Sequence, residues 1–108
     1  METVLVDIDT RGVARLTLNR PEVHNAFDDD LIANLIGKLK EVEASENVRV
    51  VIFAAMGKSF SAGGDLAWMR RTADYSEEAN LADARELAQL MRSLNHLSKP
   101  TVALVQGA

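Results

Sequence analysis

A chain of 108 residues suffices for one small domain with a modest core. Its net charge of −4 at neutral pH, with no cluster of Lys and Arg, argues against a nucleic-acid footprint and against a membrane-surface partner. With no cysteine, disulfides and thiolate metal sites are excluded, and a reducing compartment is permitted.

The first residues, METVLVDIDTRG, lack a basic leader and alternate like a strand, so they read as neither signal nor transit peptide. No apolar run approaches the roughly 20 residues of a membrane span, and the expected location is the cytoplasm. VLVDID (4–9) sets Val4, Val6 and Ile8 against Leu5, Asp7 and Asp9, which is strand periodicity. Gly12 ends a short turn, and VARLTLN (13–19) alternates again with Ala14, Leu16 and Leu18 on its apolar face. Together the two segments predict a β-hairpin. Pro21 cannot donate to a ladder, so RPEVHNAF (20–27) is predicted as a loop.

Residues 28–45 place Leu31, Ile32, Leu35, Ile36, Leu39 and Val42 three and four apart, predicting an amphipathic helix with Asp28, Asp29 and Asp30 in its first turn. Gly37 costs that helix about 1 kcal/mol relative to Ala. VRVVIFAA is nearly all apolar and suits a strand over 48–55 covered on both faces. A loop, MGKSFSAGGD, follows, and then a short helix starting at Asp65. Residues 76–97 predict a long helix, capped by Ser76, with Leu81, Ala84, Leu87, Met91 and Leu94 as its stripe. Lys99-Pro100 stops it, and TVALVQGA (101–108) is predicted as another buried strand. The order β-β-α-β-α-β, without repeats or linkers, makes residues 1–108 one α/β unit. Its apolar strands call for more covering layers than two helices supply.

The segment GKSFSAGGDLAWM (57–69) carries the chemistry. A strand feeds a glycine-rich loop that opens a helix, and the first N–H groups of a helix lack internal partners. Gly63 and Gly64 have no Cβ, so a ligand can approach the main chain. The same residues also fit a plain turn closed by an Asp cap. No Gly-Lys-Ser/Thr follows, and a third glycine is missing, which excludes both nucleotide-binding fingerprints. Asp28–Asp30 resemble a metal cluster only superficially, since consecutive helical positions diverge, and no metal site is expected. Single residues stay open between bland and functional roles: His24 as an exposed loop residue or a phosphate contact, Arg20 as a ligand contact or surface packing, Trp68 and Met69 as core or pocket. His96, Arg70 and Arg71 read as surface residues. Ser61 lacks a nucleophile elbow.

Three stretches in this order, LTLNRPEVHNAF, VRVVIFAAMGKSFSAGGDL and SKPTVALVQGA, resemble the crotonase superfamily, the enoyl-CoA hydratase/isomerase family, over essentially the whole chain. FSAGGDLAWMRR and YSEEANLADARELAQLMRSLN look most like its methylglutaconyl-CoA hydratase branch, which belongs to leucine degradation. The resemblance implies a ClpP-like spiral of ββα units, assembled as trimers or hexamers, of which these residues form an incomplete N-terminal part. It implies an acyl-CoA thioester as substrate, with coenzyme A carried by the substrate and no separate cofactor.

Position by position, Gly64 would donate a backbone N–H to the thioester oxygen. Ala62 and Leu66 would offer carbonyls to the adenine end of CoA. Val23, His24, Asn25 and Ala26 would line the CoA channel, with Gly63 and Asp65 in the same loop and Trp68 and Met69 near the acyl pocket. A second donor and the catalytic glutamates would follow Ala108, so the 108 residues alone are expected to be inactive. Hydration of a 2-enoyl-CoA is the expected reaction. Double-bond isomerisation and a non-catalytic α/β binding module are the alternatives.

Overall fold

The structure is a computed structural model, and it describes residues 2–107. Strands β1 (Val4–Ile8) and β2 (Val13–Leu18) form the hairpin, antiparallel with Val6 opposite Leu16. Asp9 makes the turn: its Oδ1 accepts from the amides of Arg11 and Val13, and Gly12 turns the chain at φ +87°. A single 3-10 turn, Pro21–Val23, interrupts the predicted loop. Helix α1 (Asp29–Ala44) then crosses to β3 (Val50–Ala55), which lies parallel to β2. Helices α2 (Leu66–Thr72) and α3 (Glu77–Asn95) lead to β4 (Thr101–Ala103), parallel to β3. The sheet order is β1-β2-β3-β4.

The core lies between one sheet face and α1. All six predicted apolar positions of α1 are buried, against Val4, Ala14, Leu16, Leu18, Val51 and Phe53 of the strands. Burial of each such side chain is worth about 1.5–3 kcal/mol, which outweighs the cost of Gly37. Asp28 is the N-cap and not part of the first turn: its Oδ1 accepts from Leu31 N at 2.9 Å. At the other end, Lys99 Nζ donates to the carbonyls of Val42, Glu43 (2.9 Å) and Ser45 (2.7 Å), a cation on the negative end of the helix.

Three expectations are corrected. First, β3 is not fully covered on both faces: one face carries buried Ala54 but also half-buried Ile52, whose partner in β4, Val102, is 49% exposed. Second, the predicted stripe of α3 is mostly on the surface. Leu81, Ala84, Leu87 and Met91 are exposed, Leu94 is half-buried, and Leu90 alone is buried. The helix meets α1 along one line of residues, and an amphipathic repeat does not specify which residues lie on that line. Third, the final strand is a three-residue exposed edge, and residues 104–107 after it are not strand. Beyond it the chain wraps back. Gln106 Nε2 donates to the carbonyls of Ala55 and Gly57, and Gly107 (φ +83°) passes so close to Lys58 that a Cβ would lie 2.5 Å from its carbonyl oxygen. Ala108 lies outside the described residues. Among those residues, no helix is long and apolar enough to cross a membrane.

Candidate active site

The loop after β2 and the loop after β3 meet. Ala62 N donates to His24 O at 2.9 Å, and Ser61 Oγ donates to Asn25 O at 3.1 Å. Phe27 and Gly64 then form an isolated parallel bridge: Phe27 N donates to Gly63 O (2.6 Å), and Asp65 N donates to Phe27 O (2.8 Å). This bridge determines the direction of one amide. The Gly63–Gly64 peptide is trans, so its C=O and N–H point in opposite directions. Phe27 holds the C=O, and the Gly64 N–H therefore points away from the bridge. It has no hydrogen-bond partner among the described residues, and Gly64 is exposed.

Gly63 reaches this arrangement at φ +92°, where a side chain would be strained even though a Cβ there would meet nothing within 4 Å. At Gly64 a Cβ would come within 2.6 Å of Met69 Cε, so Met69 lies over the residue. A cleft of about 280 Å³ adjoins the turn, with Phe27, Ser61, Trp68 and Leu87 in its wall. A larger cavity, about 480 Å³, lies elsewhere, between the C-terminal halves of α1 and α3. Another, of about 230 Å³, is apolar and lined by residues of the sheet, α1 and α3 together with Phe27 and Phe60.

The turn is buttressed from behind. Asn25, at φ +55° and fully buried, donates through Nδ2 to the carbonyls of Met56 and Ser59, both at 2.9 Å. Its Oδ1 accepts from Arg20 N at 2.7 Å. Asp65 caps α2, its Oδ1 accepting from Trp68 N at 2.9 Å.

The sequence profile of the family described as enoyl-CoA hydratase/isomerase matches residues 9–108. The chain belongs to the enoyl-CoA hydratase/isomerase family. It is similar to an enoyl-CoA hydratase from Shewanella pealeana, with 43% identity and a TM-score of 0.95, covering 98% of this chain and 40% of that one. It is 36% identical to the trans-2-decenoyl-[acyl-carrier-protein] isomerase of Streptococcus mutans, over 97% of this chain and 40% of the relative. It is 34% identical to the small ribosomal subunit protein mS47 of Schizosaccharomyces pombe, over 98% of this chain and 25% of the relative. The chain thus spans about two fifths or less of the length of these relatives. Its four strands and three helices match the N-terminal part of the crotonase fold.

Within this enoyl-CoA hydratase/isomerase chain, the two sets of predicted site residues are brought together, but they divide into two roles. Val23, His24, Ala62, Gly63, Gly64 and Leu66 are exposed, the last at 69%. Asn25 and Ala26 are buried, and the Asn25 side chain bonds the neighbouring loop. His24 Nδ1 lies 3.2 Å from Ser59 Oγ. Trp68 touches both the core and the cleft. Its ring packs on the core and lines the cleft, and its Nε1 donates to Asp83 Oδ2 at 3.2 Å, tying α2 to α3.

The carboxylates of Asp28, Asp29 and Asp30 converge to within 4.8 Å, contrary to the divergence expected of consecutive positions. Asp28 Oδ1 is bonded to the Leu31 amide and its Oδ2 lies 3.3 Å from Arg20, while Asp29 meets Arg71 at 3.0 Å, so cationic side chains already face this group.

The arrangement beside the site that sequence reasoning missed is the Arg20 cluster. Its side chain is largely buried, with Asp65 at 3.1 Å and Asp28 at 3.3 Å. The visible signal was an Asp before each helix, but their shared partner is distant in sequence. The Trp68 amide, followed by the Arg20 guanidinium, holds the Asp65 carboxyl below the usual carboxylate range, although burial works the other way. The folded protein therefore binds that proton less tightly than the unfolded chain. The stability from Asp65 is complete above about pH 4 and is lost as pH falls through the depressed folded value. Denaturant titrations of the wild type and Asp65→Asn should show a stability gap at neutral pH that narrows as pH falls below about 4. A gap independent of pH would contradict this.

Proposed function

We propose that the protein carrying these residues adds water to the double bond of a 2-enoyl-CoA thioester, with a methylglutaconyl-type acyl group as its specific substrate. The observation that supports this most is the outward Gly64 amide, without an acceptor among the described residues and next to a cleft. An N–H held in that way fits the oxygen of a thioester, where negative charge collects as the enolate forms. Polarising the carbonyl makes Cα acidic and Cβ electrophilic. A pair of carboxylates, one as base on water and one as acid, would complete the addition. Asp28 and Asp65 are bonded to helix amides and to Arg20, so neither is proposed for that pair.

In this reading, Val23, His24, Ala62 and Leu66 carry the CoA moiety on the exposed rim, and Phe27, Trp68 and Leu87 wall the acyl group. No cofactor beyond the substrate's own CoA is required, the cytoplasm is the expected compartment, and the assembly is a trimer or hexamer.

Double-bond isomerisation is the second reading, favoured by the Streptococcus mutans relative. The ribosomal relative favours a third, a non-catalytic binding module. Turnover of a 2-enoyl-CoA by the full-length protein in ¹⁸O-labelled water separates the three. Hydration puts the label at Cβ of a 3-hydroxyacyl product. Isomerisation gives an unlabelled, shifted alkene. A module of the third kind gives no product and no saturable binding of a CoA thioester.

A further inference from the structure

We infer that Arg20 is a positioning residue, whose guanidinium braces the Phe27–Gly64 bridge from both sides and so sets the direction of the Gly64 amide. The inference rests on Gly64 being the donor to the thioester oxygen.

Arg20 Nη2 lies 3.1 Å from Asp65 Oδ2 and 3.3 Å from Asp28 Oδ2, while Nη1 donates to the carbonyl of Ala26. Ala26 immediately precedes Phe27, and Asp65 immediately follows Gly64. One planar cation is thus bonded to both strands of the bridge, next to the two bridging residues. The carboxylates divide their oxygens in the same manner. Each gives Oδ1 to a helix amide, Leu31 in α1 or Trp68 in α2, and Oδ2 to Arg20. The starts of two helices and the bridge between them therefore share one fork.

The side chains of Arg20, Asp28 and Asp65 are only 15%, 14% and 9% exposed, so solvent screens the cluster little. A lysine would retain the charge but not the fixed fork, and could not hold the Ala26 carbonyl and both carboxylates in one plane. This arrangement answers the question left by sequence, because the guanidinium faces inward to protein partners and is neither a ligand contact nor surface packing.

The test compares full-length wild type, Arg20→Lys and Arg20→Met by steady-state kinetics and by difference infrared spectroscopy of a bound saturated acyl-CoA thioester, which cannot be hydrated. In the wild type, binding should lower the carbonyl stretch. Both variants should lose much of that lowering, with kcat reduced about tenfold or more and KM changed by less than about threefold. A purely structural role would reduce the folded fraction but leave the frequency and the kcat of folded molecules unchanged. That result, or failure of both variants to fold, would overturn the inference. A wild type that does not lower the stretch would instead remove the Gly64 assignment, and this inference with it.

Discussion

Replacing Gly64 by Pro in the full-length protein is expected to reduce turnover about a hundredfold or more, because it deletes one donor to the developing oxyanion. The partner variant is Gly64→Ala, which keeps the N–H. Its Cβ would land 2.6 Å from Met69 Cε, the free end of a flexible and half-exposed side chain that can rotate aside. The alanine variant should therefore remain within about tenfold of wild type. The bridge is made by Gly63 O, Phe27 and Asp65 N, not by the Gly64 amide, so neither variant removes a hydrogen bond that the fold uses. Melting curves should show both folded, with midpoints shifted by no more than about 5 °C. Turnover retained by the proline variant would sink the oxyanion assignment. Equal losses in both variants would point to shape and not to the lost hydrogen.

The second large effect is on stability. Asn25→Asp exchanges an NH₂ group, bonded at 2.9 Å to the carbonyls of Met56 and Ser59, for an oxygen. At neutral pH the new carboxylate would face two carbonyl oxygens in a fully buried position, at an expected cost of about 3–5 kcal/mol. The folded-state pKa of the new group should be raised, since a protonated carboxyl can donate to one of those carbonyls. The deficit relative to wild type should thus be smallest below about pH 4 and grow as pH rises through the raised value. Guanidinium titrations at acid and neutral pH measure both. Asn25 also receives the Ser61 hydroxyl on its own carbonyl, so the loop leading to Gly63 should loosen in the variant. Wild-type stability of Asn25→Asp at neutral pH would show that the bracket is dispensable.

Local patterns made much of the fold legible. Six apolar residues at helical spacing defined α1, Gly12 marked the hairpin turn, and all six α1 positions are buried as expected. The errors occurred where neighbours decide. In α3, Leu81, Leu87 and Met91 repeat at helical spacing but are exposed, while Leu90 is buried and half-buried Leu94 packs against the core. At β4, an apolar run forms a strand over only Thr101–Ala103, which is exposed at the sheet edge. The partners of the Asn25 side chain, the carbonyls of Met56 and Ser59, lie more than 30 residues away and were not legible in the sequence.

By itself, the sequence determined the element types, the glycine turn and the family, since these depend on residues close together in the chain: alternation, helical spacing, an Asp before a helix and two adjacent glycines. The direction of the Gly64 amide was a tertiary outcome. It depends on Phe27 holding the Gly63 carbonyl and on Arg20 reaching Asp65, contacts that span 36 and 45 residues. Hydrogen bonds between distant segments form only after helices and sheet have packed, and no local repeat in the chain encodes which way a peptide plane will then face.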